Sequence, residues 1–240
     1  MLSFFRRTRR HLMDNNKTLR YIKYAVGEVL LVVIGILLAL QLNNWKEQRN
    51  NDLKETEFLK AINVEFKENR VQFDSVLYHH RADLYHIDQI IAFFPIKLEN
   101  SDLDSLSSHL QKTFSSWTFN PAQGSINSLL NTSSFNLIKN DSLRDILVSW
   151  GDLVNDYAED EKYSKDNQMG PYEAYFSKFY DFDFNFNDPR FNQDLLQGLQ
   201  FEFIIKNRRS YIEGILLGPE INQLDQAINK VIKFTEPLKN

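Results

Sequence analysis

The stretch HHRADLYH contains three polar side chains with the spacing of metal ligands. His79, Asp83 and His86 stand at positions i, i+4 and i+7, so an α-helix would place all three on one face. Zinc accepts imidazole and carboxylate ligands, but it needs at least three of them from the protein, and adjacent turns of one straight helix do not surround an ion. Another element would have to contribute. The motif supports an alternative hypothesis, a metal-binding extracytoplasmic sensor or hydrolase, beside the simpler interpretation of solvated surface histidines.

A second polar pattern has the spacing of ligands 1, 3, 5 and 7 in a calcium loop and consists of Asp181, Asp183, Asn185 and Asn187. The pattern departs from such loops at Phe186, where glycine is needed, and at Asn192, where a bidentate glutamate is needed. The sequence also contains none of the glycine-rich or nucleophile motifs of nucleotide-binding proteins and hydrolases. We therefore expect no cofactor and no enzymatic activity, and we assign no metal ligand beyond the three candidates above.

The composition favours helices. The 240 residues include only 8 glycines and 6 prolines, which argues against a turn-rich β-sandwich and against a glycine-rich nucleotide-binding fold. The absence of cysteine excludes disulfides, thiolate metal sites and cysteine nucleophiles. With 42% hydrophobic residues, the chain is long enough for one domain with a core and an appendage. We predict an all-α protein.

An apolar segment over residues 24–42 has the length of a membrane span. Glu28 is its only charge, and at ~1.5 Å per residue its 19 residues extend about 28 Å, close to a hydrocarbon thickness of roughly 30 Å. We predict a transmembrane helix over residues 24–45 that contacts the lipid bilayer. A cleaved signal peptide is the competing interpretation, and the long basic leader argues against it. The predicted interface anchors are Tyr21, Tyr24 and Trp45.

The segment before the span is strongly basic. Residues 1–23 carry seven of the 28 Lys and Arg residues and one of the 32 acidic residues. Since basic residues are retained on the cytoplasmic side, we predict a cytoplasmic leader over residues 1–23 and a periplasmic location for the C-terminal region. Contact with anionic lipid headgroups is a second interpretation of the same residues. The tract is short, and we expect no nucleic-acid binding. The basic residues are Arg6, Arg7, Arg9, Arg10, Lys17, Arg20 and Lys23.

The single carboxylate of the span lies on a helix face suited to contact another helix. Glu28, Val32, Gly35, Ala39 and Leu42 follow a 4-3-4-3 spacing and share that face. Gly35 and Ala39 form a small-xxx-small pair that lets a second helix approach closely. Glu28 lies near the cytoplasmic edge of the hydrocarbon, where a carboxylate is tolerated. Two interpretations stay open: a protonated or hydrated carboxylate, and a hydrogen bond to a second copy or a partner membrane protein.

The residues YAVGEVLLVVIGILLALQLNNWKE resemble a transmembrane signature, YAxGExxLVVIGILxALQxNNW, of an uncharacterised family of single-pass Bacteroidota membrane proteins. In that family a basic leader and an apolar helix precede a helical extracytoplasmic region. The stretch LIKNDSLRDIL, residues 137–147, is similar to a second segment of the family. The resemblance implies a bacterial membrane protein with no assigned activity, and it supplies no catalytic residue.

The sequence after the span predicts one long helix. No proline and no glycine occur between Trp45 and Phe94, which predicts a membrane-proximal helix over residues 46–94 that Pro95 ends. A seven-residue repeat in it forms a stripe typical of a coiled coil or a helical bundle and comprises Leu59, Phe66, Phe73, His80, Ile87 and Phe94. We predict a buried neutral imidazole at His80, with a pH-responsive contact as the alternative.

Residues 95–240 predict a helical bundle domain. Its clearest amphipathic helix, NDSLRDILVSWGDLVNDY, is expected to have Asp141 as its N-cap. The continuation AEDEKYSKDNQ, residues 158–168, is interpreted as a solvated face or linker. The stretch YDFDFNFNDPRF, residues 180–191, alternates aromatic and polar residues and is interpreted as a loop pinned by its aromatic side chains.

The sequence thus predicts an N-terminal transmembrane helix that continues into a long helix, followed by an extracytoplasmic helical bundle. The predicted function is that of a membrane-anchored, non-catalytic scaffold, accessory or signal-input protein of the bacterial inner membrane, crossing it once with its N-terminus in the cytoplasm. We expect a homo-oligomer or a complex with another membrane protein, because the face of Glu28, Gly35 and Ala39 continues into a helix with a wide apolar stripe.

Overall fold

The computed structural model describes residues 17–237. This part of the chain consists of helices, turns and loops without a β-strand, which confirms the predicted all-α class. Several residues assigned to topology and anchoring from the sequence are not covered. Arg6, Arg7, Arg9 and Arg10 lie outside the described residues, and so do the side chains of Lys17, Arg20 and Tyr21.

The described α-helices are α1 Lys17–Ile91, α2 Leu103–Gln111, α3 Gly124–Leu130, α4 Asp141–Asn167, α5 Glu173–Phe179, α6 Leu199–Leu217 and α7 Pro219–Thr235. Two 3-10 helices, Ser133–Leu137 and Gln193–Gln197, and one π-helical turn, Gln168–Tyr172, complete the order. The stretch predicted as an aromatic-pinned loop has no regular secondary structure, as expected.

Helix α1 is 75 residues long and includes the apolar segment. The apolar helix therefore continues into the membrane-proximal helix, as predicted. It ends at Ile91, three residues before the predicted end, because Phe93 and Phe94 donate their N–H groups to the carbonyls of Ile90 and Ile91 in a tighter i to i−3 pattern. The residue before a proline is also disfavoured in the α conformation, so Phe94 does not extend the helix.

The chain divides into two units, Met1–Lys54 and Glu55–Asn240. The described part of the first unit is helical, and the side chains of residues 22–50 are exposed apart from the half-buried Gly27. The second unit contains the hydrophobic core, which is divided into two clusters. It therefore has the apolar interior that a bundle domain requires.

The first cluster joins α1, α3, α4 and α7. Phe66 of α1 packs against Trp150 of α4 with ring centroids 4.6 Å apart, and Phe73 packs against Tyr157 at 5.4 Å. All four rings are almost completely buried. The predicted seven-residue stripe therefore faces the interior of the bundle.

The second cluster joins the end of α1, α2, α5 and α6 with the loop that follows α5. Ile87 and Ile90 continue the buried stripe of α1 into it. Its aromatic side chains come mostly from the stretch 172–191, where Tyr180 packs against Phe191 with centroids 4.9 Å apart. The loop is pinned by burial of the rings of Tyr180, Phe184 and Phe186, as the alternation of aromatic and polar residues predicted.

Two details of α4 differ from the sequence interpretation. Its N-cap is Asn140, whose side chain accepts the N–H of Leu143 at 3.0 Å, and Asp141 is the first helical residue. The interpretation of residues 158–168 as a linker is wrong, because α4 continues through them to Asn167 and the π-helical turn follows. The outer side of this part of α4 is a solvated face, as the other interpretation has it. Its polar residues on the inner face are buried, namely Glu161, Ser164, Asn167 and Gln168.

Candidate functional site

The apolar helix surface of the first unit is not covered by the described chain. Large apolar side chains from Ile22 to Leu42 are exposed, among them Leu31 at 72% and Leu42 at 66%. The helix is long and apolar enough to cross a membrane, and none of its most apolar window is buried. Length and composition are therefore compatible with a single membrane span.

The face predicted for helix association is also uncovered. Glu28, Val32 and Leu42 are exposed. A Cβ atom placed on Gly35 would meet no described atom within 4 Å, so packing inside this chain does not account for glycine there. The helical spacing places Ala39 one turn from Gly35, which leaves a shallow surface for a second helix.

The described anchor residues are exposed at the two ends of the apolar segment. Tyr24 is 65% and Trp45 63% exposed. The Arg49 guanidinium lies over the Trp45 ring, 5.8 Å from its centroid, in a cation–π contact. An amphipathic ring held beside a cation suits the interface between hydrocarbon and headgroups.

The three candidate metal ligands are directed to three separate partners. His79 stacks on the ring of Trp117 with centroids 3.6 Å apart. Asp83 is buried and accepts a hydrogen bond from the Ser115 hydroxyl at 2.9 Å. His86 meets His109 of α2, with 2.9 Å between their Nδ1 atoms. Across residues 17–237 no group of three or more His, Asp or Glu side chains is placed to hold a metal ion.

The polar residues with calcium-ligand spacing bind the backbone of their own loop. The Asp181 carboxylate accepts the N–H of Asn185 at 2.8 Å, and the Asn185 side-chain oxygen accepts the N–H of Asn187 at 3.1 Å. The second contact is an Asx turn, and both contacts stabilise the loop.

A set of buried polar side chains, here called the polar layer, crosses the interior of the second unit. On α1 it lies between Leu77 of the first cluster and Ile87 of the second, and on α4 it begins after Tyr157 of the first cluster. A transverse polar layer explains why the core is divided into two clusters. Its buried members are His80, Asp83, Thr113, Glu161, Ser164, Gln168 and Arg208.

Glu161 is the centre of one half of the polar layer. Its Oε1 lies 3.2 Å from Nε2 of His80, and its Oε2 accepts the backbone N–H of Phe119 at 2.8 Å. His80 is buried, as its position in the apolar stripe predicted. Burial, together with the Glu161 charge, raises the pKa of the neighbouring Tyr157 phenol, which stays neutral. The carboxylate thus connects α1, α4 and the segment before α3.

Arg208 of α6 is the centre of the other half. Its Nη1 donates to the carbonyl of Ser164 at 2.6 Å and to the Ser164 hydroxyl at 3.0 Å, and its Nη2 donates to Oε1 of Gln168 at 3.1 Å. Burial lowers the pKa of Arg208, while the nearby Tyr172 and Asp83 raise it. Burial raises the pKa of Asp83 against the opposing effects of Ser115 and Arg208. The layer therefore holds a buried cation near a buried carboxyl without a direct ion pair.

Sequence reasoning missed Glu161 and Arg208, although both have a signal. The 4-3-4 spacing of Trp150, Val154 and Tyr157 continues to Glu161 on the same face of α4. Arg208 stands four residues from Ile204 and from Ile212, on the buried side of α6. When the spacing of a buried helix face continues through polar residues, it indicates that those polar residues are buried. The polar composition of residues 158–168 taken alone indicates a solvated stretch instead.

The comparisons with known proteins give one match. A model for a family of unknown function, DUF6090, matches residues 28–165, which is more than half of the chain. The matched region includes Glu28, the rest of the face predicted for association, most of α1 and nearly all of α4. No curated protein and no solved structure matches the chain.

Proposed function

The chain belongs to the family of unknown function DUF6090, and on this premise we propose that it is a membrane-anchored, non-catalytic interaction protein. In this proposal residues 24–45 cross the bacterial inner membrane once, and the second unit is a periplasmic helical domain. The protein acts as a scaffold, accessory subunit or signal-input domain. Its immediate partner in the membrane is a second copy of the chain or another single membrane helix.

One observation carries the proposal. The described chain leaves the apolar helix surface from Ile22 to Leu42 exposed. One face of this surface includes Glu28 and Gly35, and a Cβ atom on Gly35 would meet no described atom within 4 Å. Exposed apolar surface of this extent is costly in water, at about 25 cal/mol per Å². Lipid covers the larger part of it at no such cost. The face with Glu28 is better covered by protein.

The proposed orientation follows from charge. Seven basic residues precede the span, and basic residues near the end of a span are retained on the cytoplasmic side. The stretch after Trp45 has mixed charge. The long helix and the bundle are then on the periplasmic side.

Association through the Glu28 face has a physical basis. A carboxyl group facing hydrocarbon gains from a hydrogen bond to a partner, worth about 1 kcal/mol in membranes. The small residues Gly35 and Ala39 let the two backbones approach, so that dispersion contacts between the helices add to the hydrogen bond. The carboxyl group and the small residues act together only if they face the same partner.

The test is chemical cross-linking and affinity co-purification from native membranes. Wild type is compared with Glu28→Leu, which removes the hydrogen-bonding group, and with Gly35→Ile. Leu37→Phe adds a similar bulk on the opposite side of the helix and is the matched control. We expect wild type and the control to yield the same cross-linked dimer or heterologous partner, and both face variants to lose it. A species that survives in both variants, or a wild type that is monomeric and alone, would rule out this face as an assembly site.

A further inference from the structure

A cavity of about 630 Å³ opens in the second unit beside α5. This volume is within the range of small-molecule pockets in proteins. The cavity is bounded by the C-terminal end of α2, by α5 and by the loop residues 180–184. Its aromatic lining consists of Phe114, Phe176, Tyr180, Phe182 and Phe184.

Three of these rings form a fixed wall. The centroid of Phe114 lies 5.2 Å from Phe176 and 5.0 Å from Phe184, and the centroids of Phe176 and Phe184 are 5.5 Å apart. Phe176 and Phe184 are almost completely buried, so the wall belongs to the second cluster. Phe182 is different, because 95% of it is exposed beside the same cavity. An apolar ring exposed next to an aromatic wall is a feature that core packing does not explain.

The charged groups that line the cavity are all acidic. They are Glu173, Asp181 and Asp183, and no Lys, Arg or His lines the cavity in the described part of the chain. The Arg190 guanidinium acts on Asp181, but it is itself paired with Asp188 at 2.7 Å. The residues that line the cavity therefore carry a net negative charge, which favours a cationic ligand.

The loop that forms one side of the cavity is held in a strained conformation. Phe184 has φ 51°, a left-handed value that is rare for a bulky residue. Its carbonyl accepts a hydrogen bond from the Ser107 hydroxyl at 2.8 Å, and the carbonyl of Asp183 accepts one from the Gln111 amide at 2.6 Å. Strain of this kind persists only where surrounding contacts impose it, and it is concentrated at ligand sites. The cavity is thus preformed by α2.

We propose that this cavity binds an organic cation, an ammonium or guanidinium group with an alkyl body. The aromatic rings offer the negative faces of their π systems and apolar contact, and the three carboxylates supply the countercharge. The ligand is either a free amine or the cationic side chain of a peptide, which share this chemistry. The proposal is independent of the membrane face, because its residues all lie in the second unit.

The test uses the full-length protein in a maltoside detergent, since phosphocholine detergents carry a quaternary ammonium group themselves. Two matched pairs of probes are titrated by saturation-transfer difference NMR. Choline is compared with 3,3-dimethylbutan-1-ol, which has the same shape without charge. N-acetyl-arginine methylamide is compared with its neutral citrulline counterpart. The double variant Glu173→Gln with Asp183→Asn removes two exposed carboxylates, and Phe182→Ala removes the exposed ring.

We expect one or both cations to bind and the neutral counterparts not to bind. The double variant should weaken binding about tenfold through loss of charge attraction, and Phe182→Ala should weaken it severalfold. Asp152→Asn with Asp156→Asn removes two exposed carboxylates of α4 that do not line the cavity, and it should leave binding unchanged. A preference for choline indicates a free amine, and a preference for the arginine probe indicates a peptide side chain. Equal binding of neutral and charged probes, no binding of either cation, or undiminished binding in the double variant would overturn the proposal.

Discussion

The imidazole of His80 and the carboxylate of Glu161 are 81 residues apart in sequence and 3.2 Å apart in the interior of the second unit. Both side chains are at least 95% buried. The second oxygen of Glu161 is also used, because it accepts the backbone N–H of Phe119. Each oxygen of this carboxyl group therefore has a hydrogen-bonding partner, as a buried polar group requires.

Glu161→Leu is expected to destabilise the protein by about 2–4 kcal/mol, because it leaves the His80 ring and the Phe119 N–H without an acceptor in the interior. The measurement is urea unfolding followed by circular dichroism in detergent. The exposed Asp156→Leu on the same helix is the control and should change the stability by less than about 0.5 kcal/mol. The double variant His80→Leu with Glu161→Leu should recover part of the loss, since replacing a buried pair with apolar side chains is often near neutral. A double variant less stable than the sum of the single variants would contradict a pairwise contact.

Arg208→Met is expected to cost about 2–4 kcal/mol, because it removes three buried hydrogen bonds, two to Ser164 in the last turn of α4 and one to Gln168 in the turn that follows. Arg209→Met is the matched control at the next position. Arg209 forms ion pairs with Asp88 and Glu213 but is half-buried, with 32% of its side chain exposed, so its removal should cost less than about 1 kcal/mol. Thermal unfolding of the two variants side by side measures the difference. Equal losses of stability in the two variants would show that the buried contacts of Arg208 stabilise the fold no more than the ion pairs of Arg209 do.

Asp83→Asn is expected to stabilise the protein at pH 7. Burial raises the pKa of Asp83 above its ordinary value of 3.8, so the folded state holds the proton more tightly than the unfolded state does. The ionised carboxylate therefore destabilises the fold above its folded pKa, and this effect disappears as the pH falls through that pKa toward 3.8. Asparagine keeps the acceptor for the Ser115 hydroxyl.

The measurement for Asp83→Asn is the free energy of unfolding between pH 4 and pH 8. The advantage of the variant should be largest at the upper end of this range and should vanish at the lower end. An advantage that grows as the pH falls would mean that ionised Asp83 stabilises the fold, contrary to the direction of its pKa. Asp156→Asn reports the effect of removing a charge from an exposed position of α4.

A fragment covering residues 55–240 is expected to fold without the apolar segment. Both hydrophobic clusters and the polar layer lie in that unit. The fragment should stay in solution without detergent, and its far-UV circular dichroism should be helical with a single cooperative transition. Full-length protein should instead sediment with membranes. A fragment that unfolds gradually or aggregates would show that the first unit is needed for the fold of the second.

Part of the fold was predictable because helical periodicity is local. Phe66, Phe73 and Ile87 recur every seven residues, and all three are buried as predicted. The loop with alternating aromatic residues was also recognised. The burial of Glu161, in the stretch after Tyr157, was not predicted, because the polar composition of that stretch indicates exposure to solvent. Its helical spacing nevertheless places Glu161 on the inner face of α4.

The candidate sites were less predictable. His79, Asp83 and His86 share a helix face by spacing, yet each contacts a different segment: Trp117, Ser115 and His109. The cavity beside α5 needs α2 and the loop after α5 together, and no local pattern places these segments next to each other.

The sequence by itself determined that this protein is helical, that its N-terminal region has the length and apolarity of a membrane span, and which side of each helix is apolar. These properties depend on the rise and repeat of the α-helix, which are the same in any surroundings. Only the tertiary structure decided that His80 meets Glu161, that Arg208 is buried, and that three carboxylates line one aromatic cavity. Such contacts join residues 40 to 80 or more positions apart, and their geometry is fixed by how whole helices pack.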